Sequence, residues 1–276
     1  MSIKRHFHCT NIKNNKTMKG EGTMHTKIIP LTKIKKIDIV NIKGGMTASQ
    51  VIAKYKPDVL INLALYDVNT GTNITFLEDE NVKSGSYFSS DGIGIKGDKE
   101  LVWCTKDIAF KDEKIRDYVS GSPVIVKNGK KVKEWGNKYS SYIDGSHKRS
   151  VIGFNKDNLI MVVSDGNITL DGMADHCIQN YKPTYMINCD GGGSCHLQDK
   201  SKVYSKSTRA NASWLLVYLK PEPVTKTVKA KETTIHFKGQ ELNGLIIDGS
   251  TQAPIRKVAE MLGLTVDFID GEVYLK

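Results

Sequence analysis

The sequence predicts an α+β fold with a mostly β core and few helices, followed by a small β-β-α-β-β domain at the C-terminus. Three observations carry this expectation. Apolar runs of strand length recur between Gly, Asn and Asp turns from Asn69 onward. Only three stretches, near residues 46–55, 171–180 and 254–262, show helical spacing with start or stop signals. Pro221-Glu222-Pro223, followed by Thr and Lys, has the composition of a linker.

In chain order, Met46–Tyr55 reads as a short helix with Thr47 or Ser49 as cap, stopped by Lys56-Pro57-Asp58. Val59–Leu65 follows as a nearly continuous apolar strand, a pattern that implies burial on both faces. Val124–Val126 and Lys130–Val132 flank Asn128-Gly129, the dipeptide suited to a type I′ hairpin turn. Ser150–Phe154 and Leu159–Ser164 read as two strands around Asn155–Asn158. Asp171 is expected to cap a helix through Asn180, with Met173, Cys177, Ile178 and Tyr181 at core spacing and Pro183 beyond its end. Tyr185–Cys189 is another short buried strand. His196–Gln198 with Lys202–Tyr204 reads as a hairpin, and Ser213–Leu219 as a closing strand. Beyond the linker at 221–232, Thr234–Phe237, Gly239–Leu242 and Leu245–Ile247 read as strands. Pro254–Leu262 is a helix ended by Gly263, and Val266–Phe268 with Glu272–Leu275 complete a module over 233–276.

Bulk properties exclude several classes. With 39% hydrophobic and 25% charged residues the chain is ordinary for a globular protein. No apolar run is long enough to span a bilayer, and no basic, apolar and small-residue signal follows the start, so a cytoplasmic origin with no membrane partner is expected, with later release or association with a virion or cell wall. The net charge of +10 is concentrated in residues 1–43, where ten Lys or Arg face only Glu21 and Asp38. Aromatic residues do not interleave there beyond Phe7, so the segment reads as a solvated basic leader and not as a nucleic-acid site. Lys19-Gly20-Glu21-Gly22 implies purine-rich codons just before Met24, so Met24 is read as the natural start and 1–23 as translated upstream sequence. Lys-, Ile- and Asn-rich usage points to an AT-rich bacterial or phage genome. Cys9, Cys104, Cys177, Cys189 and Cys195 are an odd set without CxxC pairing, which favours reduced, buried thiols over zinc or disulfides.

The chemistry concentrates in Asn188-Cys189-Asp190-Gly191-Gly192-Gly193-Ser194. Three glycines after a buried strand pack nothing and cost backbone entropy, so their use is close approach of backbone to a ligand. Successive N–H groups in such a turn can cradle an anion, with Asp190 and Ser194 adding a carboxylate and a hydroxyl. A tight turn in which Asp190 caps its own backbone is the competing reading. Arg149 and Arg209 each precede an apolar strand, where a guanidinium suits bidentate contact with a phosphodiester, although singly each is commonly a surface charge.

In combination, Arg149-Ser150-Val151-Ile152-Gly153, Val162-Val163-Ser164-Asp165-Gly166, Asn188 to Ser194 and Arg209-Ala210-Asn211-Ala212 resemble the phosphodiester glycosidase family in order and spacing, over roughly Val59 to Leu219. The resemblance implies an α+β hydrolase over 44–220 that cleaves the glycosidic bond of a sugar-1-phosphate diester in a phosphorylated, teichoic-acid-like or nucleotide-sugar-like substrate. It implies Asp190 as the catalytic carboxylate with Asp165 or Asp67 as a second, and Asn62, Arg149, Gly191, Gly192, Gly193, Ser194 and Arg209 around the phosphate. His196 is expected either to donate to phosphate or act as an acid, or to be a strand residue. No cofactor is implied. A divalent metal between carboxylate and phosphate is left open, with no ligand cluster requiring it. Where the family has Asn-Gly-Gly before its aromatic pair, this chain has Asn62-Leu63-Ala64, which changes one wall of the site. That departure keeps a non-catalytic phospho-glycan or nucleotide-sugar binding module as one alternative. A phosphodiesterase cleaving P–O is the other. Ile247 to Arg256 and Ala259 to Gly263 resemble the copper amine oxidase N-terminal-like, or stalk, domain, which implies spacing, self-association or wall attachment.

Overall fold

The computed structural model describes residues 23–75, 77–79, 82–85, 91–109, 111–132, 145–221, 230–237, 239–247, 250–269 and 272–275. The chain divides into two compact units at Lys220/Pro221. Residues 1–22 of the expected leader, and most of the expected linker, lie outside the described residues.

The first unit is built on two sheets whose central strands are buried on both faces. One sheet has the order β1 (Met24–Pro30), β14 (Asn158–Ser164), β13 (Ser150–Phe154), β15 (Tyr185–Asn188), β11 (Val124–Lys127) and β12 (Lys130–Lys131). The other has the order β17 (Val203–Ser205), β16 (Leu197–Asp199), β3 (Val59–Asn62), β18 (Asn211–Leu219) and β2 (Ile34–Met46). All pairings within both sheets are antiparallel. Ile152, Met161, Val163 and Ile187 of the first sheet share one buried cluster with Ile37, Ile39, Ile61, Leu215 and Val217 of the second. Residues of opposite parity face outward and are covered by helices, as the period-two geometry of a strand requires. Val151, Val162 and Met186 pack with Met173, Ala174 and Cys177 of the helix α3 (Leu170–Tyr181). Leu60, Trp214 and Leu216 pack with Val51 of α1 (Ala48–Tyr55). The result is a helix–sheet–sheet–helix stack with a mostly β core, as the apolar runs predict.

A third sheet, β7 (Val82–Ser84), β6 (Leu77–Asp79), β10 (Ile115–Ser120), β8 (Asp91–Lys96) and β9 (Glu100–Thr105), adds Leu77, Ile93, Ile95 and Val119 to the central cluster. A two-residue pair, β4 (Tyr66–Asp67) with β5 (Thr72–Asn73), and a single turn of helix, α2 (Lys106–Ala109), complete this unit. The second unit contains β19 (Ala230–Phe237), β20 (Gln240–Ile247) and β21 (Ser250–Gln252), then α4 (Ile255–Met261) and the hairpin β22 (Val266–Ile269) with β23 (Glu272–Leu275).

Several local expectations hold for stated reasons. Thr47 caps α1 through a capping box with Gln50. Asn128 and Gly129 take φ of 53° and 73°, the left-handed pair that a type I′ turn demands. Others change. Residues 24–43 are not a leader: β1 pairs along the whole of β14, and β2 buries Ile34, Ile37 and Ile39. The isoleucines between the lysines decide their place, because burying them outweighs keeping the lysines clear of the fold. The strand from Val59 ends at Asn62, where the chain leaves the sheet. The helix at 171 begins one residue earlier, capped by Thr169 and not Asp171. The expected strand at Ser213–Leu219 begins two residues earlier, at Asn211, and lies between β2 and β3. Gly239–Leu242 and Leu245–Ile247 are one strand, and the expected linker ends in β19. The described cysteines, Cys104, Cys177, Cys189 and Cys195, are buried free thiols.

Ile37 tests this placement of the basic segment. Ile37→Ala should lower unfolding stability in urea by about 2–4 kcal/mol, the cost of a buried aliphatic truncation. A residue in a solvated leader would change it by less than about 0.5 kcal/mol.

Candidate functional site

The site forms where the ends of two central strands meet. β15 delivers Asn188, Cys189 and Asp190, and β3 delivers Asn62, at the same edge of the stacked sheets. The Asp190 N–H donates to the Leu63 carbonyl at 2.8 Å, and Asn62 Nδ2 donates to the Asp190 carbonyl at 2.8 Å. Asn62 Oδ1 accepts from Ser150 Oγ at 2.7 Å and from the His196 N–H at 2.9 Å. Asn62 is fully buried, so all three bonds are made away from water and their loss would be costly. Its role is to fix Asp190 from behind.

A pocket of about 150 Å³ opens in front of Asp190, lined by Leu65, Ser122, His147, Arg149, Asn188 and the run Cys189–Gly192. Burial raises the Asp190 carboxyl to about 6, against opposing effects of the Ser194 hydroxyl, the Arg209 charge and the Gly191 N–H. The Gly191 N–H donates to Asp190 Oδ1 at 3.0 Å. Ser194 Oγ is buried without a hydrogen bond of good geometry, yet lies near enough to Asp190 and Tyr66 to favour their ionised forms. Tyr66, whose hydroxyl donates to the Ala210 carbonyl, is shifted upward mainly by burial.

Arg149 is buried at 3% exposure and lines the pocket. Its Nε donates to the Ile168 carbonyl at 3.3 Å and Nη2 to the Gly145 carbonyl. These bonds hold a guanidinium rigidly beside the cavity. Arg209 does not line the pocket, but it lies against Gly193 and its charge acts on Asp190. A Cβ on Gly193 would stand 2.3 Å from Arg209 Nη2, so a side chain there would push the guanidinium from its present place. A Cβ on Gly191 would likewise meet the Lys148 carbonyl at 2.6 Å.

The cradle itself differs from expectation. The Gly191 N–H is bonded to Asp190 and the Gly192 N–H to the Lys148 carbonyl at 2.9 Å, so neither is available to an anion. Among the described residues only the Gly193 N–H of the three lacks an acceptor. Three further expected roles are corrected. Asp165, 45% exposed, pairs with His25 at the end of β1 and lies outside the pocket. Asp67 accepts from the Asn69 N–H at 2.8 Å in a surface turn and does not line the pocket either. His196 is buried, stacks edge-on against Trp214, and accepts from the Ser207 N–H at Nδ1. Burial holds its pKa below the ordinary value, and it sits just before β16 as a packed residue outside the pocket. Asn62 supports the site without facing the cavity.

Sequence reading missed His147 and Ser122, and placed Asn188 in the motif without giving its side chain a role. His147 stands two residues before Arg149, the spacing that puts side chains on one face of an extended chain. Asn188 Nδ2 donates to the Ser122 carbonyl, while Asn188 Oδ1 is buried with no donor. His147 Nε2 is also buried without a partner. No group of His, Cys, Asp or Glu among the described residues has the arrangement of a metal site. A larger concavity in the second unit, about 560 Å³, is lined by Glu232, Thr233, Thr234 and Asn243 among others. Its charged side chain is acidic, so it does not suit phosphate.

A buried carboxylate and a buried guanidinium facing one cavity on a helix–sheet–sheet–helix scaffold define a site for a polar, anionic ligand. The chain belongs to the phosphodiester glycosidase family, whose sequence pattern matches residues 39–218. Among solved structures it is similar to the zebrafish N-acetylglucosamine-1-phosphodiester alpha-N-acetylglucosaminidase catalytic domain auto-inhibited by its pro-peptide. That match has a TM-score of 0.56 and 15% identity, covering 75% of this chain and 87% of the other. It is also similar to a hypothetical protein from Synechocystis, at TM-score 0.53 and 12% identity, covering 74% of this chain and 61% of that one. At these identities the likeness establishes the fold. No curated protein matches significantly.

The raised Asp190 pKa makes a stability prediction. Its folded pKa of about 6 lies above the ordinary 3.8, so the folded state holds the proton more tightly. Stability therefore falls as pH rises from about 4 to 6. Asp190→Asn should be more stable than wild type at pH 8, by on the order of 2–3 kcal/mol, and equal to it near pH 3.5. Urea denaturation at the two pH values reads both differences.

Proposed function

We propose that the first unit hydrolyses the bond between the anomeric carbon and the phosphodiester oxygen of a sugar-1-phosphate diester. The observation that carries this reading is Asp190, buried at 8% exposure and raised to about 6, sharing one small cavity with Arg149. A carboxylate with that pKa is ionised at neutral pH and basic enough to take a proton. Family membership supplies the class of bond.

In this reading the phosphate lies towards Arg149, the Gly193 N–H and Arg209, and the sugar lies against Asn188. Asn188 Oδ1 can only accept, so it calls for a donor such as a sugar hydroxyl. Phosphate is a good leaving group, so the main demand is stabilisation of charge building on the sugar and on the departing oxygen. The electron pair of the anomeric C–O bond leaves with the phosphate. A water oxygen takes its place on the carbon, and Asp190 removes one of the water protons. Asp165 and Asp67 have no part in this step. A phosphorylated cell-surface glycan or a nucleotide-sugar-like diester fits the same chemistry. The second unit, read as stalk-like, would serve spacing, self-association or wall attachment.

Release of free sugar from a sugar-1-phosphodiester tests the assignment. Asp190→Asn should lower turnover by about 10²–10⁴-fold while remaining folded. Wild-type kcat/KM should fall as pH drops through about 6, where Asp190 takes up its proton. Near-normal turnover by the variant, or a flat acid limb, contradicts the role of Asp190.

A further inference from the structure

The wall shared by Asp190 and Arg149 holds a third group that the reaction above does not use. His147 lines the same pocket, and its Nε2 is buried with no hydrogen-bond partner. The residue is fixed from behind. Its N–H donates to the Ile168 carbonyl at 3.2 Å, and the Ile168 N–H donates back to the His147 carbonyl at 2.9 Å. The Ile168 carbonyl also receives Arg149 Nε, so His147 and Arg149 are set by one anchor. An imidazole nitrogen left unpaired in a buried place costs stability unless a ligand completes it. Asn188 Oδ1, the other unpaired atom of this wall, can only accept and suits the sugar. His147 Nε2 can donate, and the phosphate side needs donors, because two Arg149 nitrogens already serve the Ile168 and Gly145 carbonyls and the Gly191 and Gly192 amides are bonded internally.

We propose that His147 is a catalytic residue of the reaction assigned above to this pocket. Its Nε2–H bonds the phosphoryl oxygen that leaves the anomeric carbon and gives it a proton as the C–O bond breaks. The assignment rests on that reading of the pocket. The balance is complete without any further reactant. The C–O electron pair goes to the phosphoryl oxygen, and the Nε2 proton joins it there, leaving neutral imidazole. Water supplies the oxygen now bound to carbon, and Asp190 takes one of its protons. Exchange of a proton from Asp190 to His147 through solvent restores both groups, and one water is consumed per turnover. The charged groups around the imidazole are Arg149, Asp190 and the neighbouring Lys148.

The test uses the full chain with a hexose 1-phosphate methyl diester, reading kcat and KM for free-sugar release from pH 5 to 9. Wild type should show an alkaline limb in kcat as well as the acid one. His147→Ala should lose about 10²-fold or more in kcat, as loss of a positioned acid does, and the alkaline limb with it. His147→Gln, which keeps a donor near the Nε2 position but cannot transfer a proton, should recover KM and not kcat. A merely structural histidine would leave the alkaline limb in place. Should His147→Ala fail to fold, His147→Gln and the wild-type limb decide the matter. Turnover by wild type with no alkaline limb, or with kcat in His147→Gln within threefold of wild type, overturns this assignment alone. Absence of sugar release by wild type overturns the reading of the pocket, and this assignment with it.

Discussion

The site depends on one buried carboxamide. Asn62 ends the central strand of one sheet, and its three hydrogen bonds reach Ser150 at the start of β13, Asp190 just past β15, and His196 before β16. It thereby ties the two sheets together where their central strands converge. Asp could not replace it, because a carboxylate has no proton for the Asp190 carbonyl. Gln would carry the same group one methylene too far in a packed interior. Since Arg149 directly precedes Ser150, the same amide sets the separation between the cation and the carboxylate of the pocket.

The second governing feature is how little the glycine run donates. Gly191 and Gly192 use their N–H groups internally, so the run does not act as a nest of free amides. Its contribution is steric. Gly191 lets the Lys148 carbonyl approach, and Gly193 lets the Arg209 guanidinium lie against the backbone. With few dipoles aimed at it, Asp190 feels chiefly its burial, which is why its pKa rises even with the Arg209 charge opposing it. A carboxylate stabilised by several free amides would have been a weaker base.

Much of this architecture is legible in the sequence because local chemistry and global fold agree. Thr47 with Gln50, and Asn128 with Gly129, announce a helix start and a hairpin through capping and left-handed backbone. The apolar runs of β13, β14 and β15 announce strands buried on both faces. The β2 segment is obscured because lysines dominate its composition, while the isoleucines that place it are interleaved among them. At the site, Asp190 and Arg149 stand out from the motif. Asp165 and Asp67 look equivalent to Asp190 as carboxylates near strand ends, but sequence does not say which end of which sheet a strand reaches. His147 escapes notice because its significance lies in an unpaired nitrogen, which only three-dimensional packing reveals. His196 misleads for the opposite reason. It lies three residues past the glycine run, yet its ring is turned onto Trp214.

The central claim is that this pocket breaks a carbon–oxygen bond at the anomeric centre. Hydrolysis of a sugar-1-phosphodiester in heavy-oxygen water, with mass analysis of both products, tests it most directly. The account predicts the label in the released sugar and none in the phosphate monoester. Label in the phosphate would mean cleavage of the P–O bond and would contradict it.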